Sequence, residues 1–401
     1  MVHKTNNKQT TVITVRHIKK SDGYFILFKT MYTHCSKENN YVQIQFTQFF
    51  TIFHRVFHIN LHGTYARGVQ MTSIINKMVR HKPITVLSLC DGMSCGQIAL
   101  TKLNIPVKTY YAAEIKTHAI KVTQANYPNT VEIGDVTQIS YDAETQTLHT
   151  QYGDFTETFD LVMFGSPCQT FSGAMSADKR IGMLDPKKSG LFLECYRILQ
   201  EIKPRYFLME NVAGMQDTDR DTITDMLGVD PIFIDSKDYA PAYRKRYYWT
   251  NIPQCEQKGH TKHSLDLQDV LTDGYVPNKK AYCLLVSHSR PNTTPIKLFY
   301  RSYKRKFINI VFKSEAHFNA CKDFYDRNIG NVKATDIPMD IQGIDVFDGI
   351  RVLNREEIER CQTVPVGYTK CLSYAEAADV LGDGWTVDVI VHLMEGLADA
   401  E

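Results

Sequence analysis

Residues 84–252 alternate between short apolar runs and amphipathic stretches, and this alternation restricts the fold more than any other feature of the sequence. The apolar runs have the length of strands and lie at 84–89, 109–114, 159–167, 205–211, 231–236 and 246–252. The stretch at 189–202 carries apolar residues at helical spacing, at Leu191, Cys195, Ile198, Leu199 and Ile202. Strands that alternate with helices predict an α/β fold with a doubly wound, mostly parallel sheet.

Acidic residues and a glycine turn stand at the ends of the first three predicted strands, where doubly wound sheets bind ligands. The first strand ends in the turn Asp91-Gly92-Met93, and its glycine lets the backbone approach a ligand closely. Glu114 ends the second strand, and an acid in that position can accept both hydroxyls of a ribose. A third, short strand is predicted to end at Gly134-Asp135, where Asp135 can accept from an adenine amino group. Each feature alone is common in turns, but together they predict a cofactor that contains a nucleoside.

A second set of reactive residues follows later strands. Cys168 comes after the turn Gly165-Ser166-Pro167, which sets a thiol at the ligand edge of the sheet. Glu210 ends the next strand, where a partly desolvated carboxyl can donate to a ring nitrogen. Arg244 and Arg246 are two residues apart, which predicts that both guanidinium groups face one side of a strand. A lone cysteine is more often structural, so the hypothesis of a nucleophile depends on this whole arrangement.

Composition narrows the classes of protein but does not identify one. The net charge of +2 is not that of a strongly basic nucleic-acid binder, and no apolar run has the length of a membrane span. The ten cysteines are scattered without a CxxC pair, which indicates reduced thiols in an intracellular protein and no zinc site. We therefore expect no membrane partner and no metal.

Four segments differ in pattern. Residues 1–82 are rich in aromatic and basic residues but carry no motif, so they are either an accessory domain or an extension upstream of an internal start such as Met71. Residues 83–253 hold the strand-end motifs, 254–345 interrupt the alternation, and 346–401 return to it. The interruption includes a run from Gly274 to Ser314 that has nine basic residues and no acid.

In its motifs and in their order, the sequence resembles the DNA cytosine-5 methyltransferases. The motifs that carry the resemblance are VLSLCDGMSCGQIAL, GSPCQ, MENV, RKRYYWTNIP, RVLNREEIERCQTVPVGYT and GDGWTVDVIVHL, in the order of that family. Their style is closest to the animal de novo enzymes, and bacterial and bacteriophage enzymes are similar. The resemblance implies a seven-stranded methyltransferase sheet that uses S-adenosylmethionine, with a small target-recognition insert.

The resemblance also implies roles for individual residues. Cys168 would add to carbon-6 of a cytosine flipped out of double-stranded DNA, and carbon-5 would receive the methyl group. Glu210 would bind ring nitrogen-3 and the exocyclic amine, Arg246 would hold the ring oxygen, and Arg244 would support the site. The cofactor-binding residues would be Asp91, Gly92, Met93, Glu114, Ile115, Asp135, Val136, Pro167, Leu191 and Trp385.

The basic insert fits the target-recognition region of such an enzyme. Cations that neutralise phosphates supply affinity that does not depend on sequence. The residues expected to contact DNA are Lys297, Arg301, Lys304, Arg305 and Lys306. The loop 170–189 is expected to close over the flipped base. A solvated basic face is the alternative explanation for the insert.

Three other functions remain to be weighed. An inactive regulatory relative is disfavoured because Cys168, Glu210 and Arg246 are all present. An RNA cytosine methyltransferase of the same fold is disfavoured because GSPCQTFS lacks the Cys-Phe-Thr signature of the tRNA-acting branch. A nicotinamide-dependent dehydrogenase would leave the Ser-Pro-Cys motif unexplained, and the first turn lacks GxGxxG. The target sequence, a homo-oligomeric state, a restriction endonuclease partner, and a location in a bacterial cell or a nucleus stay open.

Overall fold

The computed structural model describes residues 82–171, 182, 185, 188–253, 265–284, 294–338 and 341–399, and six short strands between residues 10 and 60. The chain divides into two compact units, Met1–Val79 and Arg80–Glu401. In the first unit, four antiparallel strands form one sheet in the order Thr10–Ile13, Met31–Cys35, Tyr41–Phe46 and Phe57–Asn60. A separate strand pair joins Ile18–Lys19 to Phe25–Ile26.

A seven-stranded sheet forms the centre of the second unit. Its strands are β1 Ile84–Leu89, β2 Val107–Ala113, β3 Val131–Glu132, β4 Leu161–Phe164, β5 Tyr206–Val212, β6 Ile232–Asp235 and β7 Lys245–Thr250. They lie in the order β3-β2-β1-β4-β5-β7-β6. All neighbours are parallel except β7, which is antiparallel to both β5 and β6. The predicted α/β fold with a mostly parallel seven-stranded sheet is confirmed.

Helices cover both faces of this sheet. The α-helices described in the second unit are α1 Cys95–Lys102, α2 Thr117–Asn126, α3 Leu191–Ile202, α4 Asp217–Leu227, α5 Pro295–Tyr303, α6 Glu315–Asn328, α7 Arg355–Cys361, α8 Tyr374–Asp383 and α9 Val387–Asp399, and α5 and α6 among them pack away from the sheet. Successive residues of a strand point to opposite faces, so Val86 packs in a core with α1, α2, α8 and α9 while Leu87 packs in another with α3 and α4. Burial on both faces explains why β1 is apolar throughout instead of alternating.

Short antiparallel elements complete the second unit. In the chain segment between β3 and β4, a separate three-stranded sheet consists of Ser140–Asp142, Thr147–Thr150 and Gly153–Thr156. In the segment after β7, Ile310–Val311 pairs with Arg351–Val352.

The basic segment between β7 and α7 contains two kinds of packing. Leu267, Val270 and Ala281 belong to the same core as α1 and α9. Helices α5 and α6, in contrast, enclose a third core that includes Phe299 and Phe347. The start of the segment is thus part of the central fold, whereas the part around α5 and α6 has a core of its own and forms a small module.

Candidate active site

The loop after β1 has a constrained backbone. Cys90, Gly92 and Ser94 all have positive φ angles, which side chains other than glycine seldom adopt. The Asp91 carboxyl holds this conformation, because the Tyr110 hydroxyl donates to its Oδ1 at 2.7 Å and the Ser94 hydroxyl donates to its Oδ2. Burial raises the pKa of Asp91 to about 6, although these two hydrogen bonds lower it. Asp91 therefore shapes the loop from within.

Glu114, at the end of β2, binds the same loop. Its Oε2 accepts from the Gly92 backbone N–H at 2.7 Å, and its Oε1 accepts from the N–H groups of Ile115 and Lys116 at 2.7 and 2.8 Å. The Ile115 side chain is 68% exposed and leaves an apolar surface beside this carboxylate. A Cβ atom added to Gly92 would meet nothing within 4 Å, so the Gly92 backbone borders open space.

The other predicted cofactor residues occupy different environments. Asp135 caps the short turn after β3 by accepting from the Thr137 N–H at 2.9 Å, and Val136 is buried beneath it. The Met93 side chain is fully buried, and its carbonyl accepts from the Tyr368 hydroxyl at 2.7 Å. Only the backbone of Met93 therefore remains for a ligand. Pro167 and Leu191 are both half-buried, in the turn after β4 and at the start of α3.

The turn that carries Cys168 is fastened to the next strand. The Asn211 side-chain amide on β5 donates to the Ser166 carbonyl at 3.3 Å and to the Ser166 hydroxyl at 3.2 Å. A Cβ atom on Gly165 would lie 2.8 Å from Trp385 Nε1 and 3.3 Å from Glu210 Oε2. Glycine is therefore required where this turn meets the acid, and the turn and the end of β5 form one assembly.

Glu210 connects three parts of the chain that are far apart in sequence. It is 7% exposed, and its Oε2 accepts from Trp385 Nε1 at 3.0 Å. Its Oε1 lies 2.5 Å from Arg246 Nε, so the two side chains form an ion pair. The orientation of that contact does not meet hydrogen-bond geometry, and Oε1 has no hydrogen-bond partner among the described residues. A hydrogen bond thus holds Oε2 in place, whereas Oε1 has the ion pair with Arg246 but no hydrogen-bond donor among the described residues.

The two arginines have different partners. Arg246 pairs with Glu210, whereas Arg244 donates to the carbonyls of Gly382 and Asp383 at 3.1 and 3.2 Å. The strand-face argument does not apply to Arg244, because β7 begins only at Lys245. Arg244 is 6% exposed and joins β7 to the end of α8, just before Trp385.

The Cys168 thiol is half-buried beside these charges. Burial raises its pKa above the ordinary value for cysteine, and the negative charge of Glu210 adds to this rise. The guanidinium groups of Arg246 and Arg244 act in the opposite direction and favour the thiolate. At neutral pH the free protein therefore holds Cys168 chiefly as a thiol, with the two cations ready to stabilise its anion.

We expect the alkylation of Cys168 by iodoacetamide to accelerate about tenfold per pH unit through the neutral range, because only the thiolate reacts. Since the pKa is raised, the midpoint should lie above that of an unperturbed cysteine, about 8.5. Peptide mass spectrometry would follow Cys168 separately from the other thiols. A midpoint below about 8 would contradict the geometry described here.

Several of these contacts involve residues that sequence patterns did not single out. Tyr110 and Tyr368 shape the loop after β1, and Asn211 was noticed only as part of the motif MENV. The Cys283 thiol lies 4.0 Å from an Arg244 nitrogen although it belongs to the basic segment. The asparagine next to Glu210 is a usable signal, whereas no local pattern marks Cys283.

The loop 170–189 is described only in part, and residues 172–181, 183–184 and 186–187 lie outside the described residues. Its two ends meet, because the Thr170 N–H donates to the Ser189 hydroxyl at 3.1 Å. The Thr170 hydroxyl also donates to the Gly182 carbonyl at 2.8 Å. The predicted closure over a base remains a prediction.

The five basic residues expected to contact DNA are not equivalent. Arg301 and Arg305 line an open cavity of the insert. Lys304 instead pairs with Asp326 at 3.3 Å and lies over the rings of Tyr303 and Tyr325. Lys306 is exposed and Lys297 is half-buried. Lys304 therefore contributes to the packing of the insert more than to its free positive charge.

The described part of the chain contains neither a helix that could span a membrane nor a cluster of metal-binding side chains. No helix there is long and apolar enough to cross a membrane. No group of three or more His, Cys, Asp and Glu side chains there is arranged to hold a metal ion.

Comparison with known proteins gives consistent results. The Type II methyltransferase M.NlaIV of Neisseria lactamica is 29% identical over 249 residues, which are 57% of this chain and 54% of that protein. The Type II methyltransferase M.NgoBV of Neisseria gonorrhoeae is 28% identical over equal shares. The chain thus spans about half the length of these relatives. The solved structure of the Entamoeba histolytica methyltransferase EhMeth has the same fold, with a TM-score of 0.52 and 18% identity over 80% of this chain and 99% of that one.

The family comparison covers most of the chain. The model of the family described as C-5 cytosine-specific DNA methylase matches residues 84–398, which include every strand-end motif discussed above. This match confirms the resemblance stated from the motifs. It also disfavours the RNA methyltransferase and excludes the dehydrogenase. The chain belongs to the C-5 cytosine-specific DNA methylase family.

Proposed function

We propose that this protein transfers a methyl group from S-adenosylmethionine to carbon-5 of a cytosine in double-stranded DNA. The observation that carries the proposal is the contact of Glu210 with both Trp385 and Arg246, beside the Cys168 thiol. A carboxylate, a guanidinium and a thiol in one half-buried site can act together on an electron-poor ring.

The loops after β1 and β2 are suited to hold S-adenosylmethionine. The Gly92 backbone borders open space, Glu114 lies next to it, and Ile115 leaves an apolar surface for the face of a flat ring. Asp135 follows the neighbouring strand β3, and Trp385 brings an aromatic ring beside Glu210. When bound, this cofactor supplies an electrophilic methyl group. The donor set, of carboxylates, backbone groups and apolar side chains, matches a nucleoside with a charged amino-acid tail.

Each of the three catalytic residues has a distinct task in this proposal. The Cys168 thiol gives its proton to solvent, and its sulfur forms a bond to carbon-6 of the ring, which makes carbon-5 electron-rich. Glu210 gives a proton to ring nitrogen-3 and accepts from the exocyclic amine, which neutralises the negative charge that the attack places on the ring. Arg246 keeps the Glu210 carboxyl group oriented and holds the ring oxygen. Once carbon-5 carries the methyl group, it loses its proton to solvent and the bond from Cys168 to carbon-6 breaks. The double bond between carbon-5 and carbon-6 is thereby restored, the thiolate is released, and nitrogen-3 returns its proton to Glu210.

Arg244 is proposed as a positioning residue. Its hydrogen bonds to Gly382 and Asp383 place Trp385, which in turn donates to Glu210. Its charge also favours the Cys168 thiolate. The buried guanidinium therefore connects the C-terminal segment to the reactive centre.

The domain assignment follows the same division of work. Residues 83–253 and 346–401 would form the catalytic part, and 254–345 would contact DNA. Packing divides the chain differently at both ends of the insert. The first part of 254–345 packs in the central core, whereas the separate core around α5 and α6 extends beyond residue 345 to Phe347. No role is proposed for residues 1–82.

The direct test is methyl transfer from radiolabelled S-adenosylmethionine to DNA, followed by bisulfite sequencing. We expect incorporation of label into duplex DNA and protection of cytosines at a defined sequence. DNA binding without incorporation would support the regulatory relative instead. Label in RNA but not in DNA would overturn the proposed substrate.

Replacement of Gly92 tests the cofactor site. Gly92→Ala puts a side chain at a φ of 62°, which costs about 1–2 kcal/mol, and adds a methyl group where the cofactor backbone contact is proposed. We expect the affinity for S-adenosylmethionine, measured by calorimetry, to fall about tenfold, which is about 1.4 kcal/mol. Gly228→Ala is the matched control, because Gly228 has a φ of 68° and open space around it at the end of α4. Equal loss of cofactor affinity in both variants would contradict the assignment.

A further inference from the structure

The insert contains a cavity of about 680 Å³ that the proposed chemistry does not use. Its lining comes from the last turn of α5, the segment after it, and the segment after α6, and consists of Tyr300, Arg301, Arg305, Phe307, Lys333 and Thr335. We call it the insert cavity. None of these residues lies on the strands or turns that carry Cys168, Glu210 and Arg246.

The described lining of the insert cavity is positively charged. Arg301, Arg305 and Lys333 belong to it, and none of its described residues is acidic. Among the described residues none of the three forms an ion pair, in contrast to the neighbouring Lys304, which pairs with Asp326. Three cations held together without an anion favour a negatively charged ligand.

An aromatic surface lies beside these cations. The Phe307 ring is 41% exposed, and the Arg301 guanidinium lies over it at 5.6 Å from the ring centroid. The chain folds back to bring them together, because the Phe307 N–H donates to the Arg301 carbonyl at 3.1 Å. Tyr300, on the same turn of α5, is half-buried. Exposed aromatic rings next to arginine provide a surface on which a nucleobase can stack.

The size of the insert cavity favours a nucleotide over a bare phosphate as its ligand. A volume of about 680 Å³ is within the range of about 300–1,000 Å³ that small organic ligands occupy. A phosphate group alone would leave most of this space and the aromatic surface unused. Bases inside a regular duplex already stack on their neighbours, so only an unstacked base can present its face to Phe307.

We propose that the insert cavity binds one unstacked nucleotide of the DNA, with its phosphate on Arg301, Arg305 and Lys333 and its base on Phe307 and Tyr300. The proposal rests on the proposed function in one respect, which is that DNA is the substrate. It adds a second nucleotide site, separate from the one at Cys168, and makes Phe307 a residue that selects distorted DNA.

The test compares two DNA probes by fluorescence anisotropy with the full chain. One is a labelled 24-base-pair duplex, and the other is the same duplex with a single unpaired thymine. We expect the wild-type protein to bind the bulged probe about tenfold more tightly, and Phe307→Leu to lose that preference while its affinity for the regular duplex stays within twofold. If Phe307→Leu keeps the preference for the bulged probe, that preference belongs to the pocket at Cys168 and the proposal is overturned. The absence of any preference in the wild type would overturn it as well.

Charge variants test the phosphate contacts separately. Arg301→Gln and Lys333→Gln should each weaken binding to the bulged probe about tenfold and reduce the slope of log affinity against log salt by about 0.9. Lys279→Gln is the matched control, because Lys279 is an exposed cation of the same basic run that neither lines the cavity nor belongs to the residues expected to contact DNA. Equal losses in all three variants would indicate general electrostatic attraction and contradict a defined site. Circular dichroism and thermal unfolding confirm that each variant is folded.

Methyl transfer distinguishes failure of this proposal from failure of the proposed function. At saturating regular duplex, Phe307→Leu should keep the turnover of the wild type, since Phe307 does not belong to the reactive centre. A wild-type protein that transfers no methyl group but prefers the bulged probe through Phe307 would refute the enzyme and keep the cavity. A wild-type protein that methylates DNA but does not prefer the bulged probe would keep the proposed enzyme and refute the nucleotide site in the cavity.

Discussion

Cys168→Ser should abolish methyl transfer, with a fall of at least about 10³-fold, which corresponds to about 4 kcal/mol in the barrier. The physical reason is that a serine hydroxyl near neutral pH is almost wholly protonated, whereas Arg246 and Arg244 can stabilise the thiolate of Cys168. The serine side chain is smaller and keeps the turn after β4, which Asn211 holds through Ser166. Cofactor affinity, measured by calorimetry, should therefore stay within about twofold.

Cys371→Ser is the matched control for this experiment. Cys371 is also a free, half-buried cysteine, and it packs at the edge of the core that contains α1 and α9. We expect this variant to keep the turnover of the wild type. If Cys168→Ser retained full turnover, the proposed nucleophile would be wrong. If it lost cofactor affinity as well, the loss of turnover would reflect a disturbed site rather than missing chemistry.

Glu210→Gln should reduce methyl transfer by about 10²- to 10³-fold, within the range that acid–base groups contribute. The amide keeps an oxygen for the Trp385 N–H but removes the negative charge that pairs with Arg246. The amide also cannot give a proton to ring nitrogen-3, so the negative charge that develops on the ring is no longer neutralised. Turnover measured at saturating DNA and cofactor separates this effect from a loss of binding.

The same variant has a second, opposite effect that a merely structural role for Glu210 would not produce. The charge of Glu210 raises the pKa of Cys168, and Arg246 lowers it. Glu210→Gln should therefore lower that pKa, so alkylation of Cys168 becomes faster at a given pH while methyl transfer becomes slower. Arg246→Gln should raise the pKa and slow alkylation. Identical alkylation profiles in both variants would contradict the charge arrangement described here.

Much of the fold followed from local pattern. The apolar run at 84–89 is β1 with the same bounds, and the helical spacing at 189–202 contains α3. These elements were predictable because apolar periodicity reflects burial directly, and β1 is buried on both faces. The run at 246–252 was less accurate, since β7 begins at Lys245 and ends at Thr250.

The contacts that sequence patterns missed at the candidate site share a physical cause. Arg244 was placed on a strand face, and its partners are carbonyls more than a hundred residues away. Met93 was expected to bind the cofactor, and its side chain is buried, which leaves its backbone. Lys304 was expected to contact DNA, and it pairs with Asp326 and lies over two tyrosine rings. Residue type and spacing cannot indicate which long-range partner a side chain finds.

The sequence by itself determined the order of strands and helices, the positions of Cys168, Glu210 and Arg246 at strand ends, and the family to which these motifs point. Local periodicity and turn chemistry suffice for that, because both act over a few residues. Only the tertiary structure decided which atoms meet. It joined Trp385 to Glu210 across 175 residues, paired Arg246 with one oxygen of that acid, and brought Arg301, Arg305 and Lys333 to one cavity with Phe307. Those contacts depend on how the sheet and its insert pack, and packing is a property of the whole chain.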